Sequence, residues 1–151
     1  MNRTDCIFCE ILAGRAGASF VHCDEQCAAF MDIQPVTPGH VLVVPTRHAT
    51  GLADIKPDEW ARVTEVGRHV AAALRASGIR CEGVNLHLAD GEVAGQEVPH
   101  VHLHVFPRFR GDGFGLRLPE SYRRLPARSE LDAMAVKIES ALEKGGRKSD
   151  A

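Results

Sequence analysis

The segment Gly95-Gln96-Glu97-Val98-Pro99-His100-Val101-His102-Leu103-His104-Val105-Phe106-Pro107-Arg108 decides the reading of this chain. Its histidines fall two apart, and Val101, Leu103 and Val105 fill the odd positions. A period of two is that of a β-strand, whose successive side chains point to opposite faces. The spacing predicts a strand through the triad. His100, His102 and His104 then share one face, and the aliphatics face the core. Imidazole is valuable for proton transfer, nucleophilic attack and metal ligation near neutral pH. Three of them in alternation point to chemistry before packing.

The totals bound what that chemistry serves. A chain of 151 residues suits one domain with a real core, so 1–151 is expected as a single domain with flexible tails at about 1–5 and 145–151. Apolar content of 44% and charged content of 25% are those of a globular protein. A net charge of −2 implies no general attraction to nucleic acid or an anionic membrane. Six Phe, one Tyr and one Trp argue against a base-stacking platform. No apolar run approaches the roughly 20 residues of a membrane span. Met1-Asn2-Arg3-Thr4-Asp5-Cys6 lacks a secretory apolar core, so a cytoplasmic location is expected. A reducing compartment disfavours disulfides, and the five cysteines read as metal ligands or core residues.

Upstream, Ile7, Phe8, Ile11 and Leu12 have helical spacing, with Gly14 as a stop. Cys6 and Cys9 form a Cys-x-x-Cys pair within this stretch. Such a pair is redox-active, half of a zinc site, or two buried thiols. A redox role wants a preceding strand, and none is visible. Zinc needs two further ligands, for which His48 and His100 are the candidates. Ser19 to Asp24 and Gln26 to Ile33 read as strands around a turn, with Cys23 and Cys27 as small buried hydrophobes. Prolines and Gly39 break the second strand, and His40 to Pro45 form the next. Pro57 opens a long helix whose buried stripe is Trp60, Val63, Val66, Val70 and Leu74. Gly83 to Leu88 alternate as a strand, with His87 read as an ordinary polar residue. Residues 108–115 are glycine-rich and too mobile to sit in a core. Ser129 caps a last helix with Leu131, Met134, Ile138 and Leu142 as its stripe.

His100 to Phe106 match without a mismatch the His-φ-His-φ-His-φ-φ signature, where φ is apolar, and so resemble the histidine triad (HIT) family. Asp32-Ile33 and Pro38-Gly39-His40-Val41-Leu42-Val43-Val44-Pro45 add a second match, and the likeness covers roughly Cys6 to Phe114. It implies an α+β fold with a five-stranded antiparallel sheet, a long helix and a C-terminal helix. It implies a two-fold homodimer. It assigns the nucleophile to His102, with the His100 carbonyl accepting from its Nδ1. His104 is a donor to phosphoryl oxygens, and Gln96 resembles a phosphate-bridging amide. Asp32 is assigned to the ribose hydroxyls, Ile33 to the base and His40 to the triad's surroundings. Cys6, Cys9, His48 and His100 look like a structural zinc site. The implied substrate is a purine nucleotide, most plausibly AMP carried on an amine, a lysine or a second phosphate, and no organic cofactor is needed. A dinucleoside polyphosphate hydrolase and a non-catalytic nucleotide-binding scaffold are the alternatives. Two departures bear on the leaving group. Glu97 stands where many relatives have Ser or Thr, and strand parity turns it away from the triad. Ala89 stands where many have Asn.

Overall fold

A computed structural model describes residues 6–146. Of the expected tails at about 1–5 and 145–151, residues 1–5 and 147–151 lie outside the described residues, while Gly145 and Gly146 close the last helix. The chain divides into two compact units, one reaching Phe114 and the other beginning at Gly115.

The first unit is built on five strands: β1 (Phe20–Cys23), β2 (Cys27–Met31), β3 (Val41–Pro45), β4 (Gly83–His87) and β5 (Leu103–Arg108). They form one sheet in the order β1-β2-β3-β5-β4, every neighbouring pair antiparallel. The long helix α2 (Pro57–Ala76) covers one face, burying Val63, Val66, Gly67, Val70, Ala71 and Leu74. These pack with Ala29, Val41, Val43, Leu103 and Val105. Trp60 only borders that cluster. The opposite face carries Ala28, Phe30, Leu42 and Val44, against which the short helix α1 (Ile7–Leu12) places Phe8 and Ile11. Strand alternation thus sends odd positions of β5 to α2 and leaves even positions on the other face.

The triad strand starts later than its alternation suggests. β5 begins at Leu103, so His100 and His102 precede it. The ladder with β3 pairs Val41 with Val105 and Val43 with Leu103, which sets Val101 opposite Pro45. Proline has no N–H to donate, and the Pro45 carbonyl accepts from His100 Nε2 at 3.0 Å. The Val101 N–H donates instead to Ala49 O at 2.7 Å. Gly39 has φ +100°, and a Cβ there would stand 3.2 Å from both Leu74 Cδ2 and Pro107 Cγ. Both the conformation and the space call for glycine at the entry to His40.

Three smaller expectations are corrected. Cys27 is fully buried, but Cys23 is exposed on the edge strand β1. Residues 108–114 are an ordered turn: Arg108 donates to both Asp112 carboxylate oxygens, at 2.6 and 3.0 Å, and to Phe114 O at 2.8 Å. In the second unit, α3 (Arg128–Gly146) starts one residue before Ser129. Ala127 occupies the capping position, since its carbonyl accepts from Leu131 N at 3.3 Å. Leu131, Met134, Ile138 and Leu142 are exposed on this helix. No helix among the described residues is long and apolar enough to cross a membrane.

Candidate active site and metal centre

The even-numbered face of the triad segment collects four histidines from three parts of the chain. The ring centroids of His102 and His104 lie 4.8 Å apart. His40 enters from the start of β3, with its centroid 5.1 Å from that of His104. His87 enters from β4, where it pairs directly with His104 and sits 5.8 Å from it. Directly paired residues on adjacent strands share a face. Sequence alternation alone read His87 as an ordinary polar residue; its cross-strand pairing with His104 places it here instead.

Three of these rings have their protons assigned by their partners. His102 Nδ1 lies 2.7 Å from the His100 carbonyl, which only accepts. Nδ1 must carry the hydrogen, and Nε2 keeps a bare lone pair. The Val36 backbone N–H donates to His40 Nδ1 at 3.1 Å, so His40 carries its hydrogen on Nε2. That Nε2–H points at His104 Nδ1, 3.0 Å away. His104 is therefore left with a hydrogen on its own Nε2. Asp32 Oδ2 lies 3.4 Å from His40 Nδ1 but takes no proton from it.

Burial favours the neutral form of His40, His102 and His104. His102 is 5% exposed and its pKa is lowered, chiefly by burial; the His100 carbonyl and the charges of Asp32 and Glu97 act the other way. His104 is pushed down to about 4 by burial, then by His102, His40 and His87. His40 is lowered by burial against the pull of Asp32. Phe8 supplies part of that cover, its ring centroid 5.3 Å from His102. The helical spacing of α1 marked Phe8 as apolar without showing what it would cover. A bare Nε2 lone pair, a neighbouring N–H donor and little water are what nucleophilic attack on an electrophilic phosphorus requires.

The remaining expected contacts are placed as follows. Asp32 Oδ1 accepts from Gln34 N at 2.8 Å, capping its own turn. Ile33 is 92% exposed. The Gln96 amide is engaged at both ends, accepting from Gly91 N at 2.7 Å and donating to Thr50 O at 2.8 Å. It ties two loops together beside the triad. Glu97 precedes β5, so strand parity does not govern it, and its charge reaches His102.

His100 turns away from the other two. It is fully buried, with Nδ1 3.5 Å from Cys6 Sγ and 3.7 Å from Cys9 Sγ. His48 Nδ1 lies 3.4 Å from Cys9 Sγ. The four donor atoms all lie within 4.8 Å of one another. Zinc bonds of about 2.3 Å to sulfur and about 2.0 Å to nitrogen, at a tetrahedral angle, set an S···N edge of about 3.5 Å. The observed separations fit it. Because Nε2 of His100 donates to Pro45 O, its Nδ1 is bare and oriented as a ligand. His48 is held by its neighbour Arg47, which donates to both Glu59 oxygens at 2.7 Å and to the His48 carbonyl at 3.1 Å. Burial lowers His100 to about 4, which leaves the ring free to coordinate at neutral pH.

Comparison with known proteins agrees with this geometry. A family model described as the HIT domain matches residues 14–111. An uncharacterized HIT-like protein of Borreliella burgdorferi is 41% identical over 114 residues, covering 75% of this chain and 82% of that protein. The crystal structure of a Zn-bound histidine triad family protein from Mycobacterium smegmatis is 38% identical with a TM-score of 0.72, covering 93% of this chain and 99% of that one. A histidine triad nucleotide-binding protein from Candida albicans is 28% identical with a TM-score of 0.81, covering 93% and 99%. The triad, the sheet that carries it and these matches together make the chain a member of the HIT domain family.

Proposed function

We propose that this protein cleaves a nucleoside 5′-phosphate conjugate through a covalent nucleotidyl intermediate on His102. The observation that carries this reading is the 2.7 Å hydrogen bond from His102 Nδ1 to the His100 carbonyl, which leaves Nε2 unprotonated. Nε2 forms a bond to the α-phosphorus, and the leaving group departs with the electron pair of the broken bond. Water then attacks the phosphorus, releases the nucleoside monophosphate and restores the imidazole. His104 donates its Nε2–H to a phosphoryl oxygen and offsets developing charge. The exposed Ile33 takes the base and Asp32 the ribose hydroxyls, with a purine preferred. Gln96 acts by holding the Gly91 and Thr50 loops, and through them the walls of the site. Cys6, Cys9, His48 and His100 hold zinc, four protein ligands leaving no open position for chemistry. Its contribution when bound is to fix His100, and so the carbonyl that orients His102. We place the protein in the cytoplasm as a homodimer, the reducing setting in which paired thiols serve as ligands.

Release of AMP from adenosine 5′-phosphoramidate by the wild type and by His102→Asn tests the reading. The expected result is a loss of at least a thousandfold in kcat for the variant under conditions where circular dichroism shows it folded. Equal turnover by the two proteins would contradict it. Faster turnover of a diadenosine polyphosphate than of the phosphoramidate would favour the hydrolase alternative on the same nucleophile.

A further inference from the structure

Three imidazoles stand side by side on the triad face. His40 immediately precedes β3, His104 is on β5 and His87 on β4, three strands adjacent in the sheet. Their centroids step 5.1 Å and then 5.8 Å across the sheet. Asp32 extends the row beyond His40, with Oδ2 3.4 Å from its Nδ1. The row therefore has two ends. Asp32 marks one end, and the other is His87 on the edge strand, exposed where His40 is buried. His102, the nucleophile, lies beside the middle of the row, 4.8 Å from His104.

We propose that His87 is a specificity-determining residue that contacts the leaving group, donating a ring N–H to an anionic phosphate beyond the scissile bond. This rests on the reading of His102 as nucleophile and of Asp32 as the ribose contact. With the nucleoside at the Asp32 end and the reacting phosphorus beside His102 and His104, the substrate's remaining part extends toward β4. A second phosphate would lie one bridging atom beyond the first, which matches a side chain one strand past His104. His87 is also the solvent-facing member of the row, as a leaving group that must depart requires. Its hydrogen-bonding capacity is open to a ligand on that side, whereas both ring nitrogens of His40 are already committed. An N–H donor meeting a phosphate oxygen forms a charge-assisted hydrogen bond, stronger than one to a neutral amine. His87 thus discriminates among conjugates by what leaves.

The test compares kcat/KM for diadenosine triphosphate with that for adenosine 5′-phosphoramidate, in the wild type, His87→Ala and His87→Lys. His87→Ala is expected to lower the ratio of the two about tenfold, and His87→Lys, which restores a donor with a positive charge, to recover most of it. A general structural effect would depress both substrates together and leave the ratio alone. A ratio within twofold of wild type in His87→Ala, with wild-type turnover intact, overturns the assignment and spares the His102 mechanism. A wild type that turns over only the phosphoramidate overturns it as well. A wild type inactive on both substrates overturns the enzymatic reading, and the assignment with it.

Discussion

Whether an imidazole attacks, donates or ligates depends on which nitrogen holds its hydrogen, and here the backbone decides. The carbonyls of His100 and Pro45 and the N–H of Val36 each select one tautomer, for His102, His100 and His40 in turn. The consequence is measurable because the rings are buried neutral. His104 has its folded pKa at about 4, against about 6.5 for an unperturbed histidine. Between those values the unfolded chain binds a proton that the folded protein does not. Stability therefore falls as pH drops from about 6.5 towards about 4, and this group costs nothing further below that. The urea midpoint should decline across this window in the wild type and less steeply in His104→Asn; equal slopes would contradict the burial argument. The identity of the three triad histidines was legible in their spacing. Their tautomers were not, because the selecting groups lie elsewhere in the chain: Pro45 is 55 residues from His100.

At the scale of elements, α1 is the least self-sufficient piece of the first unit. It has six residues and no side-chain cap. A helix so short is not stable alone. Phe8 and Ile11 pack it against the sheet, while Cys6 and Cys9 bring two thiols to His48 and His100. Zinc bound there would join α1, the loop after β3 and the approach to β5 in one knot. The purified protein should carry one zinc per chain by elemental analysis, and the Cys6→Ser/Cys9→Ser pair none. Chelation should lower Tm and raise amide exchange across 7–12 first. Metal-free protein with an unchanged Tm and unchanged exchange would exclude the site. Strands and α2 were readable to within a few residues from alternation, prolines and the apolar stripe. β5 was not, because alternation continues through His100 and His102 where hydrogen bonding stops at the proline opposite. The Ser129 cap failed for a related reason: a capping residue type one position inside the helix looks the same as a cap.

Across the whole molecule, one sheet separates two tasks. The α2 face is aliphatic and carries the larger core, while the other face gathers α1, the cysteines and the imidazoles. The antiparallel order β3-β5-β4 brings His40, His104 and His87 into one row, although 64 residues separate the first two. Spacing within one strand could therefore name the centre of the site but not its breadth. Alternation in its own strand read His87 as an ordinary polar residue, and the bonds of Gln96 to Gly91 N and Thr50 O join residues that sequence does not place together. The account comes down to a bond between phosphorus and one nitrogen. Intact mass, taken after mixing with adenosine 5′-phosphoramidate and quenching within milliseconds, reads that bond directly. The wild type should gain one adenylyl group, and His102→Ala should gain none. An adduct of the same size on His102→Ala, or AMP release by that variant at the wild-type rate, would contradict the account.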